Sequence, residues 1–118
     1  MPLPRPLSAE LVGVIGYRLR VLSDPTRIRI LGLLNERQRS VQELADHLAT
    51  THQNVSKHLS VLHQCGMVSR HREGSTVVYE LVDWTGWWLI EQIAQSLEHE
   101  ADELSGLLRP TDRERPTR

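Results

Sequence analysis

The spacing of apolar residues changes twice along this chain of 118 residues, and the order of those changes limits the folds it can adopt. Up to Leu62 the apolar residues recur at helical intervals, as in the short segment 41–48. From Val68 to Leu81 apolar and polar residues alternate, which is typical of β-strands. A helical spacing returns after Asp83. The pattern therefore predicts four helices, a β-hairpin and one long final helix.

Local signals mark where these helices begin and end. Asp24 followed by Pro25 is a helix N-cap with proline at the first helical position. The segment 40–43, Ser-Val-Gln-Glu, has the form of a capping box, and Thr51 can cap the next helix. Two short helices joined by three or four residues and followed by a hairpin predict a winged helix-turn-helix, mainly α with one β-hairpin.

The length of the chain suits one folded domain, which we expect over residues 8–109. We expect a disordered arm over residues 1–7, where three prolines occur, and a disordered tail over residues 110–118.

No segment approaches the roughly 20 apolar residues of a membrane span, so we expect no membrane association. Without an apolar signal core, a cytoplasmic location is expected. Cys65 is the one cysteine, which excludes an internal disulfide.

The net charge of −1 conceals a separation of charge along the chain. Residues 51–72 contain Lys57, Arg70, Arg72 and four histidines but no carboxylate, whereas residues 91–103 are strongly acidic. Because local charge determines the field at a binding surface, the segment 51–72 is a candidate surface for nucleic acid.

A helical wheel of residues 51–66 separates an apolar side from a polar side that has one positive charge and no acid. Such a side matches the hydrogen-bonding groups that bases present in the major groove. The helix also directly precedes a hairpin with basic residues that can reach phosphates or the minor groove. This combination favours DNA binding over an ordinary solvated surface. The predicted DNA-contacting residues are His52, Gln53, Ser56, Lys57, Ser60, Arg70 and Arg72.

Several motifs in this order resemble the ArsR/SmtB repressors of bacteria. They are LSDPTRIRIL at 22–31, VQELA at 41–45, QNVSKHL at 53–59, GMVSR at 66–70 and REGSTVVY at 72–79. The resemblance extends from about Leu19 to Leu81. It implies a dimeric winged-helix protein that represses its own operon and releases DNA when an effector binds. It also implies that His52, Gln53, Ser56 and Lys57 contact bases.

The resemblance says less about the effector. One metal site of the family has the pattern E-L-C-x-C-D, but residues 43–48 here read Glu-Leu-Ala-Asp-His-Leu, without either thiolate. A second family site pairs D-x-H with H-x-x-E or H-x-x-D. His99 and Asp102 match its second half, whereas Gly86 and Trp88 stand in its first half. We therefore predict no metal site or cofactor. Weak nickel or zinc binding through His99, Asp102 and Glu103 is the alternative.

Two helices have more apolar surface than a small winged domain can cover. These are the first helix and the helix over residues 84–108, and we expect them to form a homodimer contact. Trp84, Trp87 and Trp88 favour core and dimer packing, with a pocket for an apolar effector as the alternative. The predicted dimer residues are Leu11, Ile15, Trp87, Ile90, Leu97 and Leu104.

These features together predict a sequence-specific transcriptional regulator whose partner is double-stranded operator DNA. The sequence contains no nucleophile elbow, P-loop or dinucleotide fingerprint, so we do not expect an enzyme. The alternative is a protein-interaction module that regulates transcription only together with a partner regulator. The effector and the operator sequence are left open.

Overall fold

The computed structural model describes residues 6–108 and contains five helices and three short strands in that range. The predicted mainly α, winged helix-turn-helix fold is confirmed, with one added strand. Residues 1–5 of the predicted arm and the whole predicted tail lie outside the described residues. The elements in chain order are α1 Ala9–Leu22, α2 Pro25–Glu36, β1 Arg39–Ser40, α3 Val41–Leu48, α4 His52–Gln64, β2 Val68–Glu73, β3 Thr76–Leu81 and α5 Trp84–Leu108.

The strand that the sequence did not reveal is β1. It pairs antiparallel with β3, Arg39 opposite Tyr79 and Ser40 opposite Val78, so the sheet order is β1-β3-β2. Two residues are too few to show an alternating pattern, and the sequence of residues 35–39 predicts only a break between two helices. The predicted two-stranded hairpin is therefore part of a three-stranded sheet, in which β1 lies beside β3.

The side chain of Arg39 holds β1 in place. Its exposed fraction is only 5%, and its guanidinium group donates to the Leu33 carbonyl oxygen at 3.0 Å and to Glu36 Oε1 at 2.7 Å. A third contact joins Arg39 Nη1 to His47 Nε2 at 3.1 Å. Because a buried charge is costly unless it is paired and hydrogen-bonded, these contacts together make the burial of Arg39 possible. They tie β1 to α2 and α3.

The wing is the hairpin of β2 and β3, in register from Val68 opposite Leu81 to Glu73 opposite Thr76. The sequence places Glu73, Gly74 and Ser75 between the two strands, but Glu73 belongs to β2, so the turn contains only Gly74 and Ser75. The backbone of Gly74 has a φ of +64°, a conformation that glycine adopts without steric cost. Two-residue hairpin turns favour glycine for this reason.

The core lies between α2, α3, α4 and the start of β2. The helix α2 packs against α1, α3, α4 and β3, so more than one of its sides is covered. The helical spacing of Ile28, Leu31 and Leu34 predicts a single buried stripe on α2. This prediction is incomplete, because Ile30 is fully buried and Ile28 only half-buried. The largest fully buried side chains are Ile30, Leu31, Leu44, Val55, Leu59, Leu62 and Met67.

The described chain forms two compact units, one up to Trp87 and one from Trp88 onward. The first contains the winged helix-turn-helix. The second is the remainder of α5, in which every residue from 91 to 104 is exposed. That residues 8–109 form one domain stays a prediction.

The capping box of α3 predicts how stability depends on pH. The Ser40 backbone N–H donates to Glu43 at 3.0 Å and Arg37 donates to it at 2.8 Å, which lowers the pKa of Glu43 from 4.5 to about 2. A lowered folded-state pKa contributes stability that is present at neutral pH and is lost as the pH falls from about 4.5 to about 2.

We expect Glu43→Gln to reduce this acid sensitivity, because glutamine preserves the capping box but does not titrate. Urea denaturation of the parent and of the variant, repeated at several pH values from neutral to acid, measures the effect. The free energy of unfolding should fall less steeply in the variant over the acid range. The same slope in both proteins would contradict the prediction.

Candidate nucleic-acid interface

The turn between α3 and α4 sets the angle between the two helices. It contains only Ala49, Thr50 and Thr51. Ala49 ends α3 in the left-handed conformation, with φ of 52°, and its N–H bonds to carbonyl oxygens of the preceding turn. Thr51 Oγ1 accepts from the Asn54 N–H at 3.0 Å and caps α4, as the sequence predicted. Both ends of the turn are therefore held by hydrogen bonds.

The helix α4 has one buried side and one exposed side, as the wheel predicted. Val55, Leu59 and Leu62 are fully buried. The five residues of α4 predicted to contact DNA are all exposed, and no carboxylate lies among them. Their contact with DNA itself stays a prediction. These five residues are His52, Gln53, Ser56, Lys57 and Ser60.

A network that the sequence did not suggest holds the inner edge of α4. Arg27 Nη1 lies 3.2 Å from Nδ1 of the half-buried His58, and Arg27 Nε donates to the Val21 carbonyl oxygen at 2.8 Å. Because a guanidinium group only donates, it is the donor in this contact and Nδ1 of His58 is the acceptor. Arg27 thus links α4 to the junction of α1 and α2. No spacing rule connects two residues 31 positions apart, so sequence patterns do not reveal this pair.

Asp24 caps α2 beside this network. Its Oδ1 accepts from the N–H groups of Thr26 at 2.9 Å and Arg27 at 3.2 Å. Burial acts to raise the pKa of Asp24, but the Arg27 N–H, the nearby His58 and the Arg27 charge outweigh it, so the pKa is lowered. The N-cap predicted from Asp24-Pro25 is therefore present as an ionised carboxylate at neutral pH.

The wing presents two kinds of basic residue. Arg70 and Arg72 are exposed, on the same face of β2, and neither forms an ion pair with a residue in the range 6–108. His71 lies instead 3.5 Å from Glu73, whose pKa is lowered by a hydrogen bond from Gln38 at 2.7 Å and by His71. The arginines are thus available for phosphate, whereas His71 already faces a carboxylate.

The predicted dimer residues fall into two groups. Leu11 and Ile15 on α1 are exposed, and Leu97 and Leu104 on α5 have exposed fractions of 58% and 59%. Trp87 and Ile90 are half-buried. Four of the six side chains are therefore uncovered within the described residues, and the assignment of all six to a dimer contact stays a prediction.

The three tryptophans, which the sequence treats as one group, differ in environment. Trp84 and Trp88 are exposed. Trp87 turns inward, and the six-membered ring of its indole lies against α2. Its Cη2 atom is only 3.3 Å from the position that a Cβ on Gly32 would occupy. Any larger residue at position 32 would therefore push against this indole.

The residues considered for a metal do not form a complete site. His99 Nε2 lies 3.4 Å from Glu103 Oε2 on the exposed part of α5. Within residues 6–108 no group of three or more His, Cys, Asp or Glu side chains is arranged to hold a metal ion. Weak nickel or zinc binding remains a prediction.

Cys65 is buried as a free thiol. None of the helices described here has the length and apolar character needed to span a bilayer.

Comparisons with known proteins agree with this architecture. The family model described as bacterial regulatory protein, arsR family, matches residues 24–70, from the cap of α2 to the start of the wing. The transcriptional repressor SmtB of Mycobacterium tuberculosis is 41% identical over 80 residues, which cover 68% of this chain and 59% of SmtB. The crystal structure of M. tuberculosis Rv0081 has a TM-score of 0.73 and 30% identity, covering 83% of this chain and 99% of that one.

The chain belongs to the ArsR family. The family predicted from the motifs is thereby confirmed, although this ArsR-family chain spans only 59% of the length of SmtB. At the level of fold, it also resembles the solution structure of Mb0332 from Mycobacterium bovis, with a TM-score of 0.70 and 22% identity over 83% of this chain and 91% of that one. That structure is described as a homodimeric winged helix-turn-helix DNA-binding domain.

The Arg27 network predicts a difference between two arginines of α2. We expect Arg27→Met to lower the free energy of unfolding by about 1–3 kcal/mol, because the Val21 carbonyl and the half-buried His58 lose their hydrogen-bond partner. Arg29→Met is the matched control, since Arg29 is exposed on the same helix. Urea denaturation at neutral pH measures both. Equal losses in the two variants would show that the network does not hold α4.

Proposed function

We propose that this chain is a sequence-specific DNA-binding transcriptional regulator, an ArsR-type repressor of its own operon that an effector releases from the operator. The observation that carries the proposal is the exposed side of α4, which is polar and free of acid and lies opposite a fully buried apolar side. Since the buried side fixes the rotation of the helix, the polar side faces solvent as a preformed surface. The similar protein SmtB is named a transcriptional repressor, which supports the same function.

The two parts of the interface have different roles in this proposal. His52, Gln53, Ser56, Lys57 and Ser60 enter the major groove and contact base edges, because their side chains donate and accept hydrogen bonds. The arginines of the wing contact phosphates, because a guanidinium group pairs well with phosphate oxygens. The first part supplies specificity, and the second supplies affinity that depends on salt.

The proposal includes a homodimer bound to two half-sites. Two copies of α4 then contact the DNA about 34–36 Å apart, one helical turn. The uncovered apolar stripes of α1 and α5 support a dimer, and the homodimeric state described for Mb0332 is consistent with it. We assign the contact to Leu11, Ile15, Trp87, Ile90, Leu97 and Leu104.

Substitutions in the two parts of the interface are expected to have different effects. Gln53→Ala and Ser56→Ala should each reduce the preference for operator over random duplex by about 1–3 kcal/mol, because each removes a base contact. Arg72→Ala should weaken binding to both duplexes and reduce the slope of log affinity against log salt by about 1. Gel-shift titrations at several salt concentrations, with an operator selected from random duplexes, measure both quantities.

The control for this experiment is Gln95→Ala, an exposed polar residue of α5 outside the proposed interface. Unchanged operator preference in both Gln53→Ala and Ser56→Ala would overturn the assignment of the reading surface. If the purified chain bound no DNA at all, the result would favour a protein-interaction module that needs a partner regulator.

A charge in the apolar stripe of α5 is expected to dissociate the dimer. Leu97→Glu places a carboxylate in the proposed contact, where an unpaired buried charge is strongly unfavourable. Gln95→Glu introduces the same charge on the opposite side of the helix and should leave the dimer intact. Sedimentation velocity at micromolar concentration compares the two variants. A monomeric parent protein, or a dimeric Leu97→Glu variant, would refute the proposed contact.

A further inference from the structure

A titratable side chain lies at the contact between α2 and α4. His58 is half-buried, and its ring nitrogen Nδ1 lies 3.2 Å from Nη1 of Arg27. The guanidinium group is the donor in this contact, and Nδ1 is the acceptor. Histidine is the side chain that most readily changes its charge between about pH 5 and pH 8. The contact between the two helices therefore includes a group that can gain a proton in mild acid.

Protonation of His58 replaces this hydrogen bond by a repulsion. Both ring nitrogens of a charged histidine are donors, so Nδ1 can no longer accept from Arg27. The two side chains then also have the same charge. The guanidinium group is not free to turn away from the ring, because its Nε donates to the Val21 carbonyl oxygen at 2.8 Å. The repulsion therefore acts on the contact between α2 and α4.

The other charges near the ring do not cancel this repulsion. Burial acts to raise the pKa of Asp24, but the Arg27 N–H and the nearby His58 lower it, so this carboxylate is within electrostatic reach of the ring. Asp24 nevertheless forms no ion pair with His58, whereas Arg27 is in direct contact with it. Since the interaction of two charges weakens with distance, Arg27 has the larger effect. The elements α3 and β2 also pack against α4, but within residues 6–108 no charged side chain of either pairs with His58.

His58 lies among the residues of the proposed reading surface. Ser56, Lys57 and Ser60 are within two positions of it along α4, on the exposed side. A displacement of the His58 side chain from α2 therefore moves the same turns of the helix that present these three residues. Hydrogen bonds weaken steeply when their geometry departs from the optimum, so small displacements matter at base edges.

We propose that the contact between Arg27 and His58 makes operator recognition sensitive to pH. The neutral ring holds α4 in the position that reads bases, and protonation of the ring lowers the preference for operator over random duplex. Arg27 and His58 are positioning residues, because they act through α4 and do not touch DNA. This inference rests on the proposed function, and it gives the chain a response to mild acid that needs no bound effector.

The test measures the operator preference, which is the ratio of the affinities for operator and random duplex, by gel shift between about pH 7.5 and about pH 5.5. The ratio is used because protonation of exposed histidines adds positive charge, which strengthens binding to both duplexes. We expect the preference of the parent protein to fall by about fivefold or more over this range, the lower end of ordinary coupling between two sites. A preference that does not change with pH would overturn the proposal.

Two variants test whether the pH dependence comes from this contact. Asparagine in His58→Asn keeps a carbonyl oxygen as acceptor and does not titrate, so the variant should keep the neutral-pH preference and lose the acid dependence. Arg27→Gln removes the charge that opposes the protonated ring and should also lose it. His63→Asn is the matched control, an exposed histidine of α4 outside the proposed interface, and should behave like the parent. Full acid dependence in either His58→Asn or Arg27→Gln would overturn the proposal.

A measurement without DNA separates this inference from the proposed function. Heteronuclear NMR of the histidine rings in the full chain shows which ring nitrogen carries a proton at each pH. We expect Nδ1 of His58 to be unprotonated at neutral pH, and His58 to gain its proton at a higher pH in Arg27→Gln than in the parent. A protonated Nδ1 at neutral pH, or the same titration in both proteins, would overturn the role of the contact. If the chain bound no DNA, the proposed function would fail, and this titration would still decide whether Arg27 opposes protonation of His58.

Discussion

The packing of α4 against α2 and α3 fixes the orientation of the polar side of α4. Val55, Leu59 and Leu62 are fully buried, so rotating α4 about its axis would expose three apolar side chains at once. Fully burying one such side chain is worth about 1.5–3 kcal/mol, and together they make any other rotation unfavourable. The polar side of α4 is therefore rigidly presented, which suits a surface that must match base edges.

Two buried or half-buried arginine networks add orientation to this apolar packing. Arg39 joins β1, α2 and α3, and Arg27 joins α2, α4 and the end of α1. Apolar contacts alone have little directional preference, whereas a guanidinium group donates in a fixed plane. Each network thus fixes how neighbouring helices are placed, and both converge on the helix pair that the proposed function requires.

Much of the fold follows from local patterns in the sequence. The caps at Asp24, Ser40 and Thr51 were predicted correctly because each needs only the next two or three residues. The exposed side of α4 was predicted because helical periodicity places residues on a face without any knowledge of their neighbours. By contrast, β1 was missed, because two residues leave no periodic signal. The widened buried surface of α2 was missed since it depends on four other elements.

The order of the elements, the polar side of α4 and the family can be inferred from the amino-acid sequence alone, since all three are encoded by residues near one another or by motifs in a fixed order. The folded chain was needed to show that Arg27 contacts His58, that Arg39 is buried, and that Trp87 alone of the three tryptophans turns toward α2. These contacts join residues far apart in the chain. Their existence depends on how helices pack, and helix packing is a property of the whole folded unit rather than of any segment.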